Sequence, residues 1–325
     1  MKKSITIIRK TARRIEMATT EIILSLVKLF LMIIPGYILS KKNIIDEHQC
    51  KGVSSLVVNL TWPCLIVCSL QMAFSVELVI NMGYIAAAMV CAMIIAYAFA
   101  KGACKAMKID KSKAYLITFM LMFGNTGFMG IPVCTVLYGQ EGTFYAALLD
   151  AIGDIFIFTA GLILIEKSTG RHIGLSIKHF LTPGFASIVI GIGLFVLGVQ
   201  LPDVIYMPLD KIGSATTPLA MFVVGFQLGK IHFKEMIGDV RLYVLSALKL
   251  LAMPAIFFAA MTLIFGELSL FAKIIILEMA MPVAACTTIY SEQYDGDVGF
   301  STKGVLLTTV ISIVTLSLFA VLVEL

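Results

Sequence analysis

Charge is scarce in this chain. Aspartate, glutamate, lysine and arginine make up 14% of its 325 residues, against 59% hydrophobic residues and a mean hydropathy of +0.99. Such values lie outside the range of soluble globular domains and indicate an integral membrane protein. Seven cysteines stand singly, most of them inside apolar stretches (Cys64, Cys68, Cys91, Cys134, Cys286), so neither a disulfide framework nor a zinc spacing is present. The four histidines, His48, His172, His179 and His232, fall in polar loops without ligand spacing, and no metal site is expected. No Walker-type phosphate loop occurs, so ATP is not the evident energy source. The basic first twenty residues lack an apolar core before a cleavage-like site and do not read as a signal peptide. They read as a tail on a membrane surface or a disordered one. The short alternating segments of a β-barrel are missing as well.

What is present is a series of apolar runs of roughly 18 to 25 residues, each able to cross the hydrocarbon core as a helix. The predicted spans lie near 21–40, 53–72, 79–100, 114–138, 143–165, 183–200, 204–229, 241–265, 271–290 and 302–323. Lysine and arginine concentrate in the loops after the first, third, fifth and seventh spans, including Lys41, Lys42, Lys51, the five lysines from Lys101 to Lys113, Lys167, Arg171 and Arg241. By the positive-inside rule these loops are cytoplasmic and both termini extracytoplasmic, although the basic tail votes the other way.

Two halves of the chain share landmarks. Pro63 in "NLTWPCL" and Pro218 in "SATTPLA" are 155 positions apart, Gly124 and Pro282 are 158 apart, and Tyr138 and Tyr294 are 156 apart. A five-span repeat must re-enter the membrane from the opposite side, which predicts inverted halves at 21–166 and 183–325 joined by a cytoplasmic linker at 167–182, after a tail at 1–20. Coincidence is the alternative, since glycine and proline are ordinary in membrane helices.

The sequence "FGNTGFMGIP" interrupts the fourth span near its middle, and "AMPVAA" interrupts the ninth. Unpaired backbone is tolerated at that depth only where it is buried in protein or lines a wet cavity, so the two breaks mark a site. Gly124 and Gly127 allow the chain to leave helical dihedrals, and Pro282 removes a donor. The resulting helix ends would offer N–H groups to an anion. Candidate substrate contacts are therefore Gly124, Asn125, Thr126 and Gly127, facing Pro282, Val283, Ala284, Ala285 and Cys286, with Gly130, Pro132, Pro63 and Pro218 as structural crossover residues. Asp150, Asp154 and Glu278 are candidates for proton or sodium coupling, because ionised groups at mid-bilayer are expensive and usually functional. A structural ion pair, for instance between Lys249 and an aspartate, is the plainer alternative. Lys28 lies near enough to a span end to snorkel.

At these residues the chain resembles the auxin efflux carrier family, which includes plant PIN proteins and bacterial permeases for malate or malonate. The likeness runs through "FLMIIPGYILSKKNIIDE", "NLTWPCLI", "NTGFMGIPVCTVLYG", "PLAMFVVGFQLG" and "EMAMPVAACTTIYSEQYDGD". It implies an all-α membrane protein with ten spans in two inverted halves and interrupted, crossing spans four and nine. It further implies a scaffold of spans 1, 2, 6 and 7, a moving transport domain of spans 3–5 and 8–10, and a homodimer through the scaffold. Gly124 departs from the family pattern, which usually has proline before the asparagine. No long insert separates spans five and six, as in bacterial members.

The expected function is secondary transport of a small organic carboxylate by an elevator form of alternating access, in the cell membrane, with no cofactor, no nucleic-acid partner and H+ or Na+ as coupling ion. Two alternatives belong to other classes. An intramembrane aspartyl protease would use Asp150 and Asp154, but these project from one face of one helix about 6 Å apart, unlike a dyad assembled from two helices. A passive anion channel would show flux without saturation.

Overall fold

A computed structural model describes residues 20–172, 182–230 and 239–324. The basic tail, with Lys2 to Arg14, and residues 173–181 and 231–238, with Lys178, His179, His232 and Lys234, lie outside the described residues.

The described residues form helices and no strands, and seven of the helices are long and apolar enough to cross a membrane. In chain order the elements are α1 (Thr20–Lys41), α2 (Glu47–Ser69), α3 (Val76–Ala106), α4 (Lys111–Met122), α5 (Thr126–Thr169), α6 (Pro183–Val196), α7 (Asp203–Gly229), α8 (Val240–Ile264), α9 (Leu270–Met279), α10 (Cys286–Gln293) and α11 (Val298–Leu322). This is a multi-pass all-α membrane protein.

Proline sets most of the irregularities. Wide π-type turns at Val57–Thr61, Thr126–Gly130 and Leu248–Ala252 each run directly into a helical segment with Pro63, Pro132 or Pro254 in its first turn. A proline cannot donate to the carbonyl four residues back, and its ring crowds that carbonyl, so the chain widens there. At α5 the chain also reverses. Gly139 adopts φ 63°, ψ −142°, and Thr135 Oγ1 and Thr143 Oγ1 lie 2.7 Å apart across the bend. Residues eight apart on a straight helix would be separated by about 12 Å, so α5 is a helical hairpin.

The ends of the helices sort onto two faces. On one, Asp46, Thr182, Asp239 and Asp297 cap α2, α6, α8 and α11 with their side chains. The Arg241 guanidinium bonds the Asp239 carboxylate and holds it below its usual range. Lys113 meets Asp297 at 3.2 Å and Arg171 meets Asp295 at 2.7 Å, which ties the first turn of α4, the segment after α5 and the loop before α11 together. At the opposite face Glu324 accepts from Tyr138 (2.9 Å) and pairs with Lys273 (2.7 Å).

Packing divides the helices into two groups. The second half of α1 lies along the second half of α7, and α2 packs on α6 and α7. The other group joins α3, α4, α5, α8, α9 and α11. Lipid-facing apolar residues such as Ile23, Leu24, Val79 and Tyr84 are exposed, whereas α4 from Leu116 and α9 from Ile274 are buried on every side. The most enclosed segments are thus those that run into the chain breaks.

The α1–α7 contact depends on glycine. A methyl added at Gly36 would lie 2.9 Å from Phe226 N, and one at Gly225 would lie 3.0 Å from Tyr37 N, so the two backbones approach where side chains are missing. Gly225→Leu is expected to lower the detergent melting temperature by several degrees, since overpacking costs about 1–3 kcal/mol. An unchanged melting curve would mean that the helices are not held this close.

Candidate functional site

The two sequence breaks meet. α4 ends at Met122, Phe123 is extended (φ −101°, ψ 123°), and Gly124 forms an isolated antiparallel bridge with Val283. Asn125 N donates to Pro282 O at 2.8 Å, and Ala284 N donates to Phe123 O at 3.1 Å. On the second strand-like segment, α9 stops at Met279 because Pro282 follows, and a residue before proline is pushed out of the helical region. Residues 124–127 and 282–286 therefore sit together, although more than 150 positions separate them.

The sequence suggested that helix ends at the breaks would offer N–H groups to a guest, and the bridge takes some of these groups for itself. Asn125 N and Ala284 N are spent on it, and Val283 N donates to Thr308 Oγ1 at 3.1 Å. Buried peptide groups pair with protein wherever they can. Thr126, Gly127 and Phe128 at the start of α5, and Ala285 before α10, have amides with no hydrogen-bond acceptor among the described residues. These four remain available at helix N-termini, where the positive dipole end favours an anion. Pro282, Val283 and Ala284 are buried, so the opposing lip narrows to Ala285 and Cys286, both half-buried.

The acids follow. Asp150 is 5% exposed and accepts the Thr126 hydroxyl, which couples the first break to α5. One turn further, Asp154 is half-buried and near Cys286 and Tyr290 of α10. Both aspartates line a cavity of about 140 Å³ between α5, α2 and α6, whose other walls include Val58, Trp62, Phe158, Thr182 and Phe185. Residues 124–127 and 282–286 do not line it. They join it through Asp150 and through Gly127, where an added methyl would lie 3.0 Å from Trp62 Cη2. Trp62 is thus a wall of the cavity.

Glu278 lies on the far side of the bridge, 1% exposed, with Oε2 unpartnered among the described residues. Its carboxylate lies against Gly130, where a methyl would fall 2.5 Å from Oε2, and against Cys134 Sγ at 3.9 Å. Gly130 is needed there because any side chain would displace the acid. Lys249 is fully enclosed, and its Nζ donates to Leu121 O at 3.0 Å. Among the described residues it forms no ion pair, nor do Asp150, Asp154 and Glu278, so the predicted alternative of a Lys249–aspartate bridge does not form.

The remaining candidates lie outside the bridge. Pro132 is buried behind the first break, Pro63 is half-buried beside Trp62, and Pro218 is exposed on α7. Lys28 is exposed on α1. Gln71 accepts from Leu201 N at 2.7 Å, joining the end of α2 to the segment between α6 and α7, and Gly191 packs against Leu70. Among the described residues no group of three metal-ligating side chains converges.

Comparison with known proteins gives one consistent class. The family described as "Membrane transport protein" matches residues 21–320. An uncharacterized transporter of Methanothermobacter thermautotrophicus is 26% identical over 312 residues, covering 94% of this chain and 98% of that protein. An uncharacterized transporter of Methanocaldococcus jannaschii, MJ1031, is 24% identical over 298 residues, covering 89% of this chain and 94% of the relative. A proposed malonate transporter of Rhizobium meliloti is 21% identical over 213 residues, 63% of this chain and 66% of its own length.

Proposed function

Because the chain belongs to the membrane transport protein family, the auxin efflux carriers among it, and is a membrane transporter rather than an enzyme, we propose that it moves a small organic carboxylate between the two chain breaks by alternating access. The observation that carries this is the Gly124–Val283 bridge, which leaves the amides of Thr126, Gly127, Phe128 and Ala285 unpaired beside Asp150. Half-buried amides without protein acceptors at helix N-termini favour an anionic guest, which supplies the acceptor that the protein does not. The malonate assignment of the Rhizobium relative makes short dicarboxylates the first class to test.

Ten crossings in two inverted halves account for the helices if α5 counts twice at its Gly139 reversal, α4 joins the first limb of α5 as the fourth span, and α9 joins α10 as the ninth. The cavity lies between α5 and the pair α2 and α6, which are members of the two packing groups, so a sliding motion of one group would carry the site. It lies toward the face that bears the caps of α2 and α6. At the other face Gln140 Nε2 donates to Cys68 O at 3.1 Å and joins the groups. If the lysine-rich loops are cytoplasmic, the site is open inward in this state and both termini are outside. In this reading α1, α2, α6 and α7 form the scaffold, α1 and α7 offer an apolar surface for a homodimer in the cell membrane, and a proton on Asp150 or Asp154 offsets the charge of the arriving anion. A passive channel would have no use for such a closure.

A thermal-shift screen of purified protein against mono- and dicarboxylates tests the substrate class. Saturating dicarboxylate is expected to raise the melting temperature, with a stabilisation of about 2.7 kcal/mol at a hundredfold excess over Kd. Stabilisation by the neutral diesters or by amines instead would refute the anion assignment.

A further inference from the structure

The enclosed pair Lys249 and Glu278 lies outside the substrate contacts just described. α4 ends deep in the protein with its last carbonyls pointing forward, and in hydrocarbon these have no water to accept from. Phe119 O is taken by Phe123 N, and Leu121 O is taken by the Lys249 ammonium, 128 residues away. Lys249 arrives from the wide turn Leu248–Ala252 of α8 and is 0% exposed. A methyl on Gly124 would lie 3.6 Å from its Nζ and 3.3 Å from Glu278 O, so the ammonium stands beside the bridge, between the C-terminal ends of α4 and α9. The negative end of α4 thus meets one cation through Leu121 O, while the Glu278 carboxylate, with one oxygen unpartnered among the described residues, lies nearby without forming an ion pair with it.

With the lysine side chain removed, the Leu121 carbonyl would face an enclosed space that has the Glu278 carboxylate nearby, and both are hard oxygen donors. We propose that Lys249 is a built-in counter-cation, holding the place that a bound alkali cation would otherwise take, so that the chain break keeps its shape without a metal ion. Burial of the charge is offset by the α4 end, and the lysine cannot leave during transport. Lys249 is a positioning residue and does not touch the substrate.

The stability arm of the test uses no substrate, so its failure is separate from failure of the carboxylate assignment. Purified wild type and K249A are melted in choline chloride, sodium chloride and potassium chloride. The wild type is expected to be indifferent to the cation, whereas K249A should lose several degrees in choline and regain most of them, saturably, with one alkali cation. In proteoliposomes K249A uptake should likewise fall about tenfold in choline and recover with that cation, a rescue that a lost packing contact would not give. Saturable stabilisation of the wild type by sodium overturns the proposal, as does K249A behaving like wild type in choline or a loss that no alkali cation restores. If K249A is not recovered folded, K249R decides. Retained fold and cation indifference support the role of the charge, and failure of K249R to fold overturns it.

Discussion

Asp150→Asn is expected to lower net uptake of the transported carboxylate at least about tenfold, or about 1.4 kcal/mol in the barrier, while leaving the fold intact. The asparagine is nearly isosteric, and its carbonyl oxygen can still accept the Thr126 hydroxyl that Asp150 accepts now. Only the exchangeable proton and the charge are lost. If that proton balances the charge of the substrate, uptake driven by a pH gradient should vanish in Asp150→Asn, whereas exchange of labelled for unlabelled substrate should persist. Asp154, half-buried and without a hydrogen bond among the described residues, should respond more weakly to the same change. Equal loss of driven uptake and exchange would assign Asp150 to binding instead of coupling.

Gly127→Leu should bring uptake below detection, a loss of roughly 10²-fold or more, since misplacing a site by about 1 Å already has effects of that size. Three atoms of the Trp62 ring lie 3.0 to 3.5 Å from where the first carbon would stand. Gly127 belongs to α5 and Trp62 to α2, so the collision falls between the two packing groups and covers the free amides at the same time. Because it wedges a surface apart without filling a core, the melting temperature should change little. Gly102→Leu, in open space near the end of α3, is the control and should transport normally. Normal uptake in Gly127→Leu, measured on equal amounts of protein in proteoliposomes, would remove the amides of α5 from the site.

Local chemistry made part of this site legible in the sequence. Glycine, asparagine and threonine in the middle of an apolar span, and proline in another, announce breaks wherever they fall, and Asp150 and Asp154 share a helix face by spacing alone. The "LYGQEG" turn was readable for the same reason, since only glycine accepts the positive φ found at Gly139. Other features depend on which helices lie side by side. The Lys249 bond to Leu121 O, the Val283 bond to Thr308 and the cavity wall supplied by Trp62, Thr182 and Phe185 join segments far apart in the chain. The sequence reading also overcounted the free amides, because a break leaves donors unpaired only until another break supplies acceptors, and here each strand-like segment satisfies part of the other. The basic loops were read as lying on one side, and the Lys113–Asp297 and Arg171–Asp295 pairs bring two segments of that set to one face.

Density for a bound substrate tests the central claim most directly. A cryo-EM map of the protein saturated with the carboxylate that gives the largest thermal shift should show a carboxylate group within hydrogen-bonding distance of the Thr126, Gly127 and Phe128 amides, with Ala285 N across from it. Density confined to the apolar part of the cavity between α2 and α6, or chain running as continuous helix through residues 123–126 and 280–285, would contradict it.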